Sequence, residues 1–290
     1  MTDNFARPEL LRALFDDASL FPPAALPMSD AVAGHLRHQA AWYREMSGPF
    51  VCPDAKIAEL SAALTAANVA ELDLALVLPG GSASLDSAVD SVFADPRLRL
   101  RAVELPMMPT DSGETGAAIA QVTTALDRTP LAGAAAFVEI PASQLTTDDV
   151  RVLSEHRYLA KVRTGGVTAA AFPAEQTLAQ CLAVLVAERL AFKCTAGLHH
   201  AVRHRAADTG FEHHGFLNVL LAVAAALSGA STGRVAAQLA DCDPWRVADQ
   251  IARLDADTAS AVRALFTSFG TCSTDDPVTD LITLGLVGRD

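Results

Sequence analysis

The sequence predicts a single (β/α)8 barrel of the TIM type, and three observations predict it. Short β-rich runs alternate with helical stretches along the chain, the pattern of a parallel sheet covered by helices. Four of those runs end alike: Phe50-Val51-Cys52-Pro53, Leu76-Val77-Leu78-Pro79, Val103-Glu104-Leu105-Pro106 and Val138-Glu139-Ile140-Pro141. A proline there stops the ladder and opens the loop to the next helix. The first three recur about every 26 residues, the length of one strand–helix unit, and eight such units use most of a chain of 290 residues. A doubly wound sheet would leave a surplus, and no linker long enough to divide two domains interrupts the pattern.

In chain order the expected strands are Leu14–Leu20, Pro49–Pro53, Asp73–Pro79, Leu98–Pro106, Ala134–Pro141, Tyr158–Thr164, Ala191–Thr195 and Leu265–Cys272. Between them lie helical patterns at Ser29–Met46, Lys56–Asn68, Ser84–Ala94, Gly116–Asp127, Thr147–His156 and Pro173–Arg189. Thr147, followed by Asp148 and Asp149, reads as a helix cap with acidic residues in the first turn. Residues 201–264 read as an enlarged helical segment between strands 7 and 8, with Phe216–Leu227 ended by Gly229 and a further helix starting at Asp243-Pro244-Trp245. Val235–Leu239 competes for the place of the eighth strand.

Composition narrows the partners. Hydrophobic residues make up 51% of the chain, enough for a large core, and the formal charge is −12. An acidic surface repels nucleic acid and anionic membrane, so neither is expected as a partner, while a cationic pocket for a small anionic substrate stays open. Self-association is left open as well. The start, MTDNFARPELLRALFDD, lacks a charged segment followed by an apolar one, so no secretory leader is expected. The apolar run Phe216–Leu227 is too short to span a bilayer. Cysteines 52, 181, 194, 242 and 272 are odd in number without CxxC spacing, which reads as a reduced cytoplasmic protein with neither a disulfide framework nor a zinc knuckle.

Strands 6 and 7 carry the chemistry. They align as Lys161-Val162-Arg163-Thr164-Gly165 and Lys193-Cys194-Thr195-Ala196-Gly197. Side chains two apart share one face of a strand, so Lys161 with Arg163, and Lys193 with Thr195, point together, and Cys194 points the other way. Charges inside a strand core are costly unless they face a polar cavity, which in a parallel barrel is the C-terminal mouth. Glu104 and Glu139 hold matching positions on strands 4 and 5, so two carboxylates and two lysines form a polar ring. The same four residues also admit a purely structural reading, as ion pairs that plug the barrel. On strand 1, Asp16 and Asp17 point to opposite faces. Alternation does not decide which enters the pocket; Asp17 is carried as the candidate substrate contact.

The pairing AKVRTGG with FKCTAG resembles the class I, Schiff-base aldolases of the deoxyribose-phosphate aldolase type, which are TIM barrels. The resemblance implies that Lys161 forms an imine and that Lys193 is the neighbouring cation that favours its free amine. Phe269-Gly270-Thr271-Cys272-Ser273 is similar to that family's glycine–serine turn after the last strand, which implies a phosphate contact at Gly270 and Ser273. Departures are present: strand 7 reads Lys-Cys-Thr-Ala-Gly rather than Lys-Thr-Ser-Thr-Gly, Arg163 replaces an apolar residue, and 201–264 is longer than that family's pattern.

Five of the eight histidines, at 199, 200, 204, 213 and 214, follow strand 7. His199 is the candidate acid–base residue and His200 a substrate contact, because imidazole titrates near neutral pH. His35 and His38 are expected on a surface helix face, and His156 at a helix end. Gly165, Gly166, Gly197 and Gly270 let backbone N–H groups approach an anion, or simply make tight turns. Together these residues point to lyase or related carbonyl chemistry on a small anionic substrate, with or without a phosphate. Lys161, Lys193, Glu104, Glu139 and His199 would be catalytic, with Asp17, Arg163, Gly165, Gly166, Thr195, Gly197, His200, Gly270 and Ser273 binding substrate. No cofactor is needed for that reading. One alternative is a hydrolase or isomerase with a divalent metal held by His199, His200 and the glutamates; another is a non-catalytic ligand-binding barrel.

Overall fold

Eight parallel strands close into a barrel. The computed structural model describes residues 5–108 and 115–288, so the first four residues of the leader reading lie outside the described residues. The strands are β1 (Phe15–Asp17), β2 (Ser47–Pro53), β3 (Leu72–Val77), β4 (Leu98–Pro106), β5 (Ala135–Ile140), β6 (Leu159–Arg163) and β7 (Phe192–Thr195). The eighth barrel strand is β10 (Phe266–Thr271). Their order is β1-β10-β7-β6-β5-β4-β3-β2, with β1 also paired to β2. A short antiparallel hairpin, β8 (His204–Arg205) and β9 (Glu212–His213), follows β7. Each expected strand is present, and the last falls within the expected 265–272.

The helices are α1 (Pro8–Leu11), α2 (Met28–Ala40), α3 (Ile57–Ala66), α4 (Leu85–Phe93), α5 (Thr115–Arg128), α6 (Thr147–Glu155) and α7 (Glu175–Ala187). The enlarged segment supplies α8 (Phe216–Leu227), α9 (Thr232–Ala240), α10 (Pro244–Ala252) and α11 (Ala256–Leu265), and α12 (Asp275–Thr283) follows β10. Val235–Leu239 belongs to α9 and is not a strand. Its buried Val235 and Leu239 are four apart, a helical spacing that a five-residue apolar run does not reveal. Helix α2 stops at Ala40 rather than Met46. Thr146, not Thr147, caps α6: its Oγ1 accepts from Asp149 N at 3.2 Å, and Thr146 N donates to Asp149 Oδ2 at 2.9 Å. Asp243 caps α10, accepting from Trp245 N and Arg246 N at 3.1 Å each, with Pro244 in the first turn. The stretch Ala169–Ala187 is long and apolar enough to cross a membrane by composition alone; it contains α7, which packs on α8 and α9.

Two cores follow from strand alternation. Outward residues such as Phe50, Leu74, Val103, Val138, Val162 and Cys194 meet the helices in one large cluster. Inward residues Val51, Ala75, Val77, Ala102 and Phe137 form a second, smaller cluster inside the barrel on the β2–β5 side. The closing strand is pinned by aromatic rings. Phe269 lies 5.4 Å from Phe15 and 5.1 Å from Phe216 between ring centres, and Phe266 stacks on Phe192 at 5.3 Å. Beneath this seam the Arg263 guanidinium donates to the carbonyls of Leu10, Arg12, Phe266 and Thr267. Burial draws its pKa down to about 10.

Phe269 is fully buried at the β1–β10 closure. Phe269→Ala is expected to cost about 3–5 kcal/mol, measured by chemical denaturation, whereas the same change at the half-exposed Phe93 should cost far less.

Candidate active site at the barrel mouth

The inner faces of β1, β7, β6, β5 and β4 carry one connected chain of charges. Lys161 and Lys193 are register partners on β6 and β7, as are Arg163 and Thr195 one layer nearer the mouth. Lys161 Nζ lies 2.8 Å from Glu104 Oε2 and 3.0 Å from Glu139 Oε2. Lys193 Nζ donates to Asp16 Oδ2 and to Glu104 Oε1. Arg163 closes the upper end on Glu139 Oε1 through Nε and Nη2, at 2.8 Å each. The order is therefore Asp16–Lys193–Glu104–Lys161–Glu139–Arg163. Three acids face three bases, so the chain balances when all are ionised. It rises from a floor where Lys193 and Glu104 are each 2% exposed to the Arg163 side chain at 47%.

Burial by itself would raise the Glu104 carboxyl, but Lys161 and Lys193 together hold it down to about 2. Burial likewise opposes, and Lys161 and Arg163 outweigh it, at Glu139, which is lowered. Burial opposes the charge of Lys193 too, yet Asp16 and Glu104 raise its pKa above the ordinary lysine value. Asp16 goes the other way. Its complete burial, with Glu104 nearby, raises it despite Lys193, so it is the carboxyl of the chain most ready to take a proton.

Several expectations need correction. Asp16, not Asp17, enters the barrel. Asp17 points outward, where its Oδ2 meets His35 Nδ1 at 3.0 Å and its Oδ1 accepts from Ser19 N at 3.1 Å. His35, expected at the surface, is 3% exposed and packs edge-on against Phe50. His38 is half-buried, with Nδ1 2.9 Å from the Tyr43 hydroxyl. Glu104 and Glu139 are not in matching register, because Glu104 pairs with Phe137 and Pro106 with Glu139. Glu104 thus lies one layer deeper, which lets it reach both lysines. Gly165 and Gly197 are needed for packing: a Cβ on Gly165 would stand 2.7 Å from Phe172 and 2.8 Å from the Gly197 Cα, and Gly197 has φ +77°. A Cβ on Gly166 would stand 2.7 Å from that of Ala171. Ser273 Oγ accepts from Asp276 N at 3.4 Å at the start of α12, whose first turn carries Asp275 and Asp276. Acidic side chains there disfavour a phosphate.

Two participants were missed in the sequence. Ser268 donates to Asp16 Oδ2 at 2.8 Å and orients it. Gly48 of β2 leaves the room that Asp16 fills; a Cβ there would overlap Asp16 Oδ1. Alternation hid Ser268, because a bulge between Phe266 and Ser268 resets which face each residue takes.

The histidines after β7 form a rim in which His200, His204 and His213 are in contact, with ring centres 4.7 Å and 5.2 Å apart, while His199 and His214 have other partners. His199 Nδ1 is 3.3 Å from Thr271 Oγ1 and 3.7 Å from Cys272 Sγ, a contact between distant segments that sequence spacing does not reveal. Thr271 Oγ1 also donates to the Ser273 carbonyl at 2.9 Å and accepts from Ser273 N at 3.3 Å. Burial lowers His199 and raises the Cys272 thiol. His200 Nδ1 sits 3.1 Å from Asp280 Oδ2, which raises its pKa. His200 lines, with His204, Arg203, Cys242 and Asp280, a cavity of about 360 Å³ between the rim and α12. It is not drawn to the lysines. His214 is fully buried and donates from Nε2 to the Pro173 carbonyl at 2.8 Å. Among the described residues, no three His, Cys, Asp or Glu side chains are grouped to hold a metal ion.

No protein-family model matches the chain, and no curated protein matches it. The class defined by fold and interior is therefore a TIM-type barrel with a charged C-terminal mouth.

Replacing Glu104 takes one carboxylate from each buried lysine and leaves Lys161 with Glu139 and Lys193 with Asp16. Glu104→Gln should lower stability at neutral pH by about 3–5 kcal/mol. The Glu104 carboxyl is depressed in the folded protein, so its contribution is full above the ordinary value of 4.5 and is lost as pH falls toward about 2. Denaturant titrations should show wild type losing stability across that window more steeply than Glu104→Gln. Parallel slopes would mean that Glu104 is not held ionised by the lysines.

Proposed function

We propose that this barrel is an enzyme of carbonyl chemistry in which Lys161 forms an imine with a small anionic aldehyde, ketone or keto acid. The observation that carries the reading is the placement of Lys161 Nζ within 3.0 Å of two carboxylates. Imine formation needs an amine nucleophile and groups that move protons off nitrogen and onto the departing oxygen. Lys161 supplies the first, and Glu104 and Glu139 lie at hydrogen-bonding distance for the second.

The step balances without a cofactor. Lys161 first gives one ammonium proton to Glu139, and Nζ then attacks the carbonyl carbon and forms the C–N bond. The two amine protons pass through the carboxylates to the former carbonyl oxygen, which leaves as water when C=N forms. Lys193, in the adjacent register position, holds Glu104 in place and keeps a positive charge next to Lys161. Arg163 has a second role at the lip. Its Nε and Nη2 are taken by Glu139, and its half-exposed side chain leaves the remaining nitrogen to meet an incoming carboxylate. His199, with Nδ1 held by Thr271, offers Nε2 as the rim's acid–base group.

The complete internal pairing of the six charges equally supports a non-catalytic barrel whose ions are structural. Sodium borohydride separates the two. Wild type incubated with pyruvate, glyoxylate or acetaldehyde and then reduced should gain one adduct by intact mass, mapped to Lys161. Lys161→Arg keeps the charge and should fold but gain none. Unmodified wild type with all three probes, or labelling on surface lysines alone, would leave the structural reading standing.

A further inference from the structure

The glycines around the charge chain fall into two kinds. Gly48, Gly165 and Gly197 each have a steric reason: a Cβ would strike Asp16, Phe172 or the facing glycine backbone. Gly270 has none. It lies on β10 in register with Asp16 on one side and Thr195 on the other, and shares the inward face of Ser268 two residues below. A Cβ on Gly270 would find Ala18 Cβ at 3.8 Å and Thr195 Oγ1 at 3.9 Å, both ordinary contact distances. Its φ is not in the left-handed region. Glycine weakens a strand interior through lost entropy and lost packing, so one that serves neither backbone nor neighbour marks space kept open.

Gly270, Ala18 and Thr195 are each partly exposed, so the position is reached from the mouth. Ala18, Gly270 and Thr195 are small residues on the β1–β10–β7 side, one layer above Lys193 and Ser268. The opposite side of the barrel is filled by Val51, Val77 and Phe137. Among the described residues the Thr195 hydroxyl makes no hydrogen bond; its carbonyl accepts from Thr164 N and Oγ1. Half-buried and facing the gap, that hydroxyl is a donor and acceptor that a ligand can use.

We propose that the gap over Gly270 is a substrate subsite for a short, unbranched carbon segment bearing a hydroxyl, with Thr195 Oγ1 as its hydrogen-bond partner and Gly270 as its size limit. The subsite rests on the reading of the mouth as the reaction site and deepens it. A substrate whose carbonyl reaches Lys161 on β6 would place the neighbouring hydroxylated carbon over β7 and β10.

Two probes differing by one hydroxyl test it. Borohydride trapping on wild type should favour glycolaldehyde over acetaldehyde by about threefold to tenfold, the worth of one neutral hydrogen bond. Thr195→Val should abolish the preference, and Gly270→Val should lower the yield with glycolaldehyde more than with formaldehyde. Gly270→Ala should melt at or above the wild-type temperature, because the added methyl meets no clash. A lower melting temperature would show that the glycine is structural and would overturn the subsite. Trapping at Lys161 without discrimination between the two aldehydes would also overturn it while leaving the imine intact. If no aldehyde is trapped, ligand-detected NMR with glycolate, which forms no imine, decides separately. Binding lost in Gly270→Val supports the subsite although the imine reading has failed, and binding unchanged in that variant removes it.

Discussion

Lys193 and Lys161, side by side on adjacent strands of a closed barrel, are tolerable only because Glu104 lies between them. Two ammonium groups in neighbouring register repel strongly in a medium of low polarity, and each has lost most of its hydration. Glu104 accepts from both, Asp16 takes the far side of Lys193, and Glu139 the far side of Lys161. The rest of the interior is arranged around this. Ser268 orients Asp16, Gly48 vacates the volume that its carboxylate occupies, and the Phe137 ring lies 5.4 Å below Lys193 Nζ. The apolar filling inside the barrel centres on β2 to β5, with Ala18, Phe21 and Leu159 packed at its margin.

Such a chain is a poor way to stabilise a barrel. Apolar residues of the same volume would do as well or better, since desolvating six charges consumes most of what their attraction supplies. What the chain does provide is a graded series of protonation states within reach of one another. Glu104 is held ionised from both sides, while Asp16 at the buried end is the carboxyl most easily protonated. Groups pushed in opposite directions within one cavity are what proton transfer requires.

The rim belongs to a different physical regime. The hairpin after β7 and the helices α8 to α11 extend the β7–β10 crossover well beyond one helix, and their anchoring is local: Arg203 on Glu175 at 2.7 Å, His214 on Pro173, Asn218 on the carbonyls of Gln238 and Asp241. These contacts hold the histidines over the mouth without drawing them into the charge chain. The histidine density in the sequence corresponds to a row at the rim, His200, His204 and His213, apart from the charge chain.

Sequence alone determined the barrel, its strand ends and four of the six members of the charge chain by position, because a two-residue alternation within a strand and a proline at its end are local properties. Arg163 was recognised as well, though as a ligand for substrate rather than a partner of Glu139. Only the tertiary structure decided between Asp16 and Asp17, placed Ser268 inside and gave Glu104 its bridging depth. The reason is that alternation states which residues share a face but not which face is inward, and the register shifts between β1 and β2 and within β10 reset that relation. Depth along the barrel axis depends on the stagger between neighbouring strands, which no single strand encodes. Gly270 shows the same limit. As a letter it was one more glycine near a predicted strand end, and only its neighbours' distances show that it serves neither a turn nor a tight contact.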